Sequence, residues 1–411
     1  MRKSNGFRWK ALSQRQKQVL SWWTPQSAYS GYNGIIADGA IRSGKTFAMS
    51  FSFVQWAMTC YSAMCGKTIA SFRRNVMGTL KQQLAARGYR VKEHRAENCM
   101  TVSKGGRTNE FYFFGGKDES SQDLIQGITL AGAFFDEVAL MPQSFVNQAT
   151  ARCSVTGSKF WFNCNPGSPQ HWFYLEWVRK CRSRKMMYLH FTMDDNLSLS
   201  EDIKARYRSQ YSGVFYQRYI LGLWTVAEGL VYDMFDRKKH VVDELPELSP
   251  KSVYVACDFG TQNATVFLLF QKQADADCWI VTREYYYSGR EQKRQKTVGE
   301  YVTDLKAWLN GLKPERIIVD PSALPLITEL RKNGFTQTPA NNDVLSGILD
   351  VQTMLQTGRL KIYKDCKHTL EEFGVYAWDP DKDDTVLKVN DHCMDAIRYF
   401  VRTKRLVKLR D

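Results

Sequence analysis

Gly34-Ile35-Ile36-Ala37-Asp38-Gly39-Ala40-Ile41-Arg42-Ser43-Gly44-Lys45-Thr46 is the stretch on which the fold of the first half turns. The apolar run Gly34 to Asp38 reads as a short strand, and residues 39–46 fit G-x-x-x-x-G-K-[ST] in full. A helical pattern follows from Lys45 to about Tyr61. Strand, glycine-bounded loop and helix in that order make a phosphate cradle. Glycines let the backbone close around the anion, and amide hydrogens at a helix N-terminus face its charge. Gly39, Arg42, Ser43 and Gly44 are therefore expected to wrap a nucleoside triphosphate, with Lys45 reaching its β- and γ-phosphates and Thr46 a Mg²⁺ ion.

Outward from the loop, strand and helix signals alternate. Residues 10–23 have an amphipathic helical period that ends at Thr24-Pro25. Downstream, 67–72 (KTIASF) reads as a strand, 74–87 as a helix carrying Leu80 and Leu84, and 110–115 as a strand. Ala131-Gly132-Ala133-Phe134-Phe135 reads as a buried strand ending in Asp136 and Glu137, and 159–163 (KFWFN) as another, closing at Asn163-Cys164-Asn165-Pro166. This alternation predicts an α/β domain with a doubly wound, mostly parallel sheet.

Two charges at the end of an apolar strand need a reason. On a strand taken to be adjacent to the loop strand, Asp136 is expected to hold Mg²⁺, and Glu137 to orient and deprotonate the attacking water. Asn163 or Asn165 is placed to sense the γ-phosphate, against the alternative of a simple turn. Gln16 reads either as an adenine contact or as an exposed helix residue. Arg42, Arg73, Arg74 and Arg152 are all open as the arginine that stabilises transition-state charge.

Residues 200–224 look helical, and 225–250 have a connector's composition, with two prolines and a charge run. A second strand-first block begins at Ser252, with strands at 252–258, 265–270, 279–282 and 317–320 and a helix at 298–310. The expected division is a first domain over 1–228, a linker over 229–249 and a second domain over 250–411. Asp258 and Asp320 both end apolar strands, while Asp391 and Asp395 are four apart in a helical pattern and so share a face. Two strand-end carboxylates with one or two helical ones can hold a pair of divalent ions that cleave a phosphodiester. His392 is a further ligand or base, or a helix-surface residue; the acidic run at 379–384 reads as a solvated loop.

The chain has 411 residues, 44% hydrophobic and 24% charged, which excludes a disordered or collagen-like protein. No apolar run approaches the ~20 residues that span a bilayer, so no membrane role is expected. The ten cysteines include no C-x-x-C pair and read as reduced, mostly buried thiols of a cytosolic protein. The net charge is +15, of which residues 1–250 carry +13. Such an excess suits a polyanionic partner, because neutralised phosphates release counterions.

Taken in order, GAIRSGKT, FFDE, NPGSPQHWFY, the G-x-W…EG-x-VY junction (Gly222, Trp224, Glu228, Gly229, Val231, Tyr232), ACDFG, IIVDPSA, Gly347-Ile348 and NDHCMDAIRYF resemble the large terminase subunits of tailed double-stranded DNA bacteriophages. The similarity runs over nearly the whole chain. It implies a P-loop ATPase followed by a ribonuclease H-like nuclease: a motor that drives double-stranded DNA into procapsids and a metal-dependent endonuclease that cuts concatemers. The implied cofactors are ATP with Mg²⁺, and two Mg²⁺ or Mn²⁺ ions at the nuclease site. Residue by residue, the resemblance carries Lys45 and Thr46 to phosphate and metal, and Asp136 and Glu137 to hydrolysis. Asn165 goes to the coupling motif, Gln16 to the adenine motif, and Asp258 and Asp320 to the first two nuclease acids. The third acid is Asp391 or Asp395, with Asp395 favoured by its place in Asp-Ala-x-Arg-Tyr. Implied partners are a small terminase subunit and the portal protein, with a homo-oligomeric ring when docked or a monomer in solution, in the cytoplasm of the infected host and at the portal vertex. The rival readings are a helicase or repair ATPase fused to a resolvase-like nuclease, and an ATP-switched DNA-binding scaffold.

Overall fold

The apolar run at 34–39 is buried along its whole length because both faces of its strand are covered. In a computed structural model of the protein, which describes residues 9–58, 62–260 and 264–407, this run is β1 (Gly34–Gly39). Ile35 and Ala37 turn into one apolar cluster with Phe51, Phe53 and Trp161; Ile36 turns into another with Phe135, Phe162 and Trp177. Such two-sided burial belongs to parallel strands flanked by helices.

The described residues form two compact units. The first comprises Met1–Arg208 with Val214–Val226, and the second Ser209–Gly213 with Ala227–Asp411. In the first unit, β1 joins β2 (Ser62–Gly66), β3 (Arg90–His94), β4 (Cys99–Lys104), β5 (Arg107–Gly115), β6 (Gly132–Phe135), β7 (Lys159–Asn163) and β8 (Met186–Phe191) in the order β3-β4-β5-β2-β6-β7-β1-β8. The run from β5 to β8 is parallel, while β3, β4 and β5 are antiparallel. This is the mostly parallel doubly wound sheet that the alternation predicts.

Two local expectations are corrected. KTIASF is not a strand: Thr68 and Ser71 form a reciprocal capping box that starts the short helix Ile69–Phe72, and the strand is β2, just before it. The loop helix runs Lys45–Ala57, and its expected end at Tyr61 lies outside the described residues. Likewise β6, which Asp136 directly follows, does not adjoin β1, because β7 lies between them. The helical reading of 74–87 holds, as a π-helical turn Arg73–Met77 continued by Gly78–Ala86 with Leu80 and Leu84 buried.

The second unit holds β9 (Val241–Val242), β10 (Leu248–Asp258), β11 (Ala264–Gln273), β12 (Trp279–Ser288), β13 (Arg316–Val319), β14 (Gln337–Pro339) and β15 (Leu360–Tyr363), ordered β14-β13-β10-β11-β12-β15-β9. β10, β11 and β12 form an antiparallel meander, and β13 then returns parallel to β10 with β14 beyond it. This is a ribonuclease H-like sheet. Residues 241–242, inside the stretch read as a connector, form its edge strand β9 against β15. One face of the sheet buries Val253, Val255 and Cys257 with Phe267 and Leu269. Against the other lies the C-terminal helix His392–Lys404, whose Phe400 stacks on Phe270 at 3.9 Å and meets Trp279 edge-on at 5.0 Å. Among the described residues no helix is long and apolar enough to cross a membrane. The nine described cysteines are free, and seven of them are buried.

Candidate functional site

The loop after β1 is shaped by backbone that few side chains tolerate. Gly39, Arg42 and Gly44 have φ of +122°, +56° and +83°. A Cβ on Gly39 would collide with the Phe191 carbonyl, so this position requires glycine. Lys45 begins the helix, and its buried Nζ donates to the carbonyls of Gly39 (3.0 Å) and Ala40 (2.7 Å), to Ser43 Oγ (3.3 Å) and to Asn165 Oδ1 (3.1 Å). The ammonium is thus curled onto the loop and points at the end of β7.

Thr46 Oγ1 donates to Asp136 Oδ1 at 3.0 Å, which closes the distance across the intervening strand. Asn163, the last residue of β7, makes that bridge. Its Nδ2 donates to Asp136 Oδ1 (2.9 Å) and Thr46 Oγ1 (3.2 Å), and its Oδ1 accepts the Glu137 backbone N–H (2.9 Å). Held so, Glu137 adopts φ +59°. Burial raises the pKa of Asp136 despite its bonds to Asn163 and Thr46; burial and then Asp136 raise that of Glu137. The two asparagines left open by the sequence therefore divide: Asn165 meets Lys45, and Asn163 meets the acids. A hydroxyl and a carboxylate this close are hard oxygen donors that fit Mg²⁺.

Gln16 is buried, not exposed. It completes a capping box with Ser13, and its amide nitrogen lies over Gly44, 2.5 Å from where a Cβ would stand. Of the arginines, Arg42 gives its Nε to Tyr207 (2.8 Å), Arg73 pairs with Glu93 (3.0 Å), Arg74 is exposed, and Arg152 Nε is buried without a hydrogen bond. Sequence reasoning missed Asp38. Fully buried on β1, its carboxylate accepts from Tyr188 OH (2.9 Å), His190 Nδ1 (3.1 Å) and Trp224 Nε1 (2.7 Å). An acid one residue before the loop in an otherwise apolar strand was the available signal.

Burial pulls the Lys45 pKa down from 10.5 to about 8. Between those values the unfolded chain holds a proton there that the folded chain lacks, so nucleotide-free stability rises with pH across the window. Below about 8 the penalty is present in full. Lys45→Met is expected to stabilise the nucleotide-free protein by roughly 3 kcal/mol near neutrality, with the gain vanishing toward pH 10.5. Urea melts at pH 7 and 10 check it.

At the second constellation, Cys257 and Val319 are register partners of the parallel pair β10 and β13. Asp258 is the last residue of β10 and Asp320 directly follows β13, each one residue beyond that paired position. Asp258 Oδ2 bonds His392 Nδ1 at 2.8 Å. Asp320 accepts from the Ser322 N–H (2.7 Å), Asn342 Nδ2 (2.8 Å) and Tyr399 OH (3.1 Å). Burial raises the Asp258 pKa, with the His392 bond opposing; at Asp320 burial is outweighed by its donors and the pKa falls. For His392 burial is overcome by the bond to Asp258, and its pKa rises.

Asp391 precedes the C-terminal helix and Asp395 lies in its first turn, both buried. The exposed Lys388 puts Nζ 2.9 Å from Asp391 Oδ2 and 3.1 Å from Asp395 Oδ2. Asp391 Oδ2 is buried and faces Lys388 as an ion pair, without a hydrogen bond of its own. Asp395 Oδ1 is held by the buried Arg398 at 2.8 Å. Glu372, also missed, caps the helix by accepting the N–H groups of Cys393 (2.7 Å) and Met394 (3.1 Å). Among the described residues no three metal-ligating side chains stand close enough to enclose an ion as placed. The strand-end pair, with a third acid beside an undonated carboxylate oxygen, nevertheless supplies the all-oxygen donors that Mg²⁺ or Mn²⁺ takes.

A P-loop NTPase fold and a ribonuclease H-like fold, each with acids gathered at its strand ends, define a two-unit chain with a nucleotide-binding and a nuclease-type unit. The family described as "Terminase large subunit, T4likevirus-type, N-terminal" matches residues 36–239. The large terminase of a thermophilic bacteriophage is 52% identical, covering 96% of this chain and 99% of that one with a TM-score of 0.90. Its structure in complex with ADP, 51% identical over 96% and 99% of the two chains, gives a TM-score of 0.86. The large terminase subunit of Escherichia phage T5 is 25% identical over 52% of this chain and 50% of its own length, and the chain spans about half the length of the curated relatives it matches. The chain belongs to the large terminase subunit family.

Proposed function

We propose that the first unit hydrolyses ATP to move double-stranded DNA and that the second cuts it. The observation that carries the reading is the bonded chain Thr46–Asp136–Asn163–Glu137 beside the curled Lys45. Lys45 exchanges its loop carbonyls for β- and γ-phosphate oxygens, and Asn165, released from it, senses the γ-phosphate. Thr46 and Asp136 would hold Mg²⁺. Glu137, its carboxyl raised by burial, orients the attacking water and accepts its proton. Gln16, lying over Gly44, supports an adenine-side role. The ADP bound to the thermophilic phage's terminase supports the nucleotide.

In the second unit Asp258, Asp320 and Asp395 would hold divalent ions, with Arg398 fixing Asp395 and Glu372 fixing the helix that carries it. Asp395 is preferred over Asp391 because the buried Arg398, in the same Asp-Ala-x-Arg-Tyr string, holds its carboxylate in place at 2.8 Å. Such ions, here and at the triphosphate, polarise phosphoryl oxygens and make water nucleophilic at neutral pH. The excess of +13 in residues 1–250 suits duplex phosphates. A small terminase subunit, a portal and a docked ring, in the infected cell's cytoplasm, complete the proposal.

Titration calorimetry with Mn²⁺ tests the metal assignment. Asp395→Asn is expected to weaken binding at least about tenfold, since loss of even an outer-shell partner costs that much, and Asp391→Asn less than about threefold. The reverse order would exchange the two acids, and absence of saturable binding by the unaltered protein would remove the nuclease proposal.

A further inference from the structure

Asp38 is 0% exposed and stands one residue before the phosphate loop, yet the proposed chemistry does not use it. Burying a carboxylate costs several kcal/mol unless donors surround it. Here β8 brings two of them, because His190 is the register partner of Asp38 and Tyr188, two residues earlier, lies on the same face. The third is the indole of Trp224, which also packs on Tyr174 with ring centres 5.0 Å apart.

Trp224 belongs to the last stretch of the first unit; at Ala227 the chain enters the second. That stretch touches the phosphate loop twice more. The Ile41 N–H donates to the Tyr219 carbonyl at 2.9 Å. Gly222, at φ +73°, backs onto the loop so closely that a Cβ would come within 2.7 Å of Ala40 N and Gly39 Cα. His190 joins the two contacts, since its ring bonds Asp38 and its Cε1 lies 2.8 Å from where a Cβ on Gly222 would stand. The strap is therefore pinned at Trp224 to a rigid strand and pressed at Gly222 against the loop. Lys45 grips that loop through the same Gly39 and Ala40.

We infer that Asp38 is a positioning residue that latches residues 219–224 onto the phosphate loop, so that nucleotide binding there is passed into the chain leading to the second unit. Withdrawal of Lys45 from Gly39 and Ala40 re-seats the loop against Gly222, and the Trp224 anchor converts that shift into a change along the strap instead of letting it slide. The inference rests on the loop being the nucleotide site.

Hydrogen exchange on the full chain, with and without ADP, tests it. The amides of Leu221, Leu223 and Thr225 are reporters, being bonded to the carbonyls of Tyr216, Gln217 and Gly167. ADP is expected to slow their exchange by about fivefold or more, in the range of local opening equilibria. Trp224→Phe keeps the ring but loses the donor. It should bind ADP within about threefold of the unaltered protein, lose most of the strap response, and lower kcat about tenfold at constant KM. Asp38→Asn should do the same. Tyr188→Phe, which leaves the Trp224 bond in place, should keep the response. A strap that ignores ADP in a protein that binds it, a full response in Trp224→Phe or Asp38→Asn, or equal loss in all three variants would overturn the latch. Failure of the unaltered protein to bind ADP would instead remove the nucleotide-site reading on which the latch depends.

Discussion

Lys45→Ala is expected to abolish ATP turnover, by about 100-fold or more, while Mn²⁺-dependent nicking of plasmid DNA continues near its normal rate. A preorganised cation aimed at developing phosphoryl charge is worth two to three orders of magnitude in comparable sites. Its geometry here leaves no substitute: the four acceptors of Lys45 Nζ converge where the loop closes, and Arg42 is turned to Tyr207. The change also removes a buried amine whose desolvation opposes folding, so loss of structure is not the expected cause of inactivity. A melting curve recorded on the same sample separates the two causes. Normal ATP hydrolysis by the variant would refute the phosphate-site assignment, and parallel loss of nicking would refute the independence of the two centres.

Asp258→Asn and Asp320→Asn are each expected to eliminate DNA cleavage, by about 1,000-fold, and to leave ATP turnover within about twofold, because metal-held oxyanions carry most of the rate at such centres. Asparagine preserves size, so the strand ends stay packed while the charge that would hold a divalent ion is lost. The two acids end neighbouring chain segments and are bonded to the same helix through different residues, His392 and Tyr399, which leaves neither able to replace the other. Linearisation of plasmid measured beside phosphate release decides the matter. Full cleavage by either variant would sink the site, and a shared fall in both assays would point to a folding defect.

Much of this was legible because the informative residues are local. Gly39 to Thr46 announced the loop through backbone requirements that only glycine meets, and apolar strands ending in Asp136, Asp258 and Asp320 announced the acids. What escaped depended on contacts across the sheet. Asn163 spans from β6 to the loop helix only because β7 intervenes, and strand order cannot be read from a chain. Asp38 looked like a strand terminus; its donors come from residues 188, 190 and 224. KTIASF was misread because apolar content outweighed a capping box whose Ser71 arm is an unusual replacement for Glu or Gln. β3, with mostly exposed and half-buried residues, carries too little apolar signal to announce an edge strand.

The ammonium of Lys388, resting between Asp391 and Asp395, gives the acidic end of the second sheet its own counter-charge. Its charge offsets part of the repulsion between the two neighbouring acids while no divalent ion is bound. A divalent ion held by these acids would therefore have to displace a tethered ammonium, so that its binding would trade one positive charge for another.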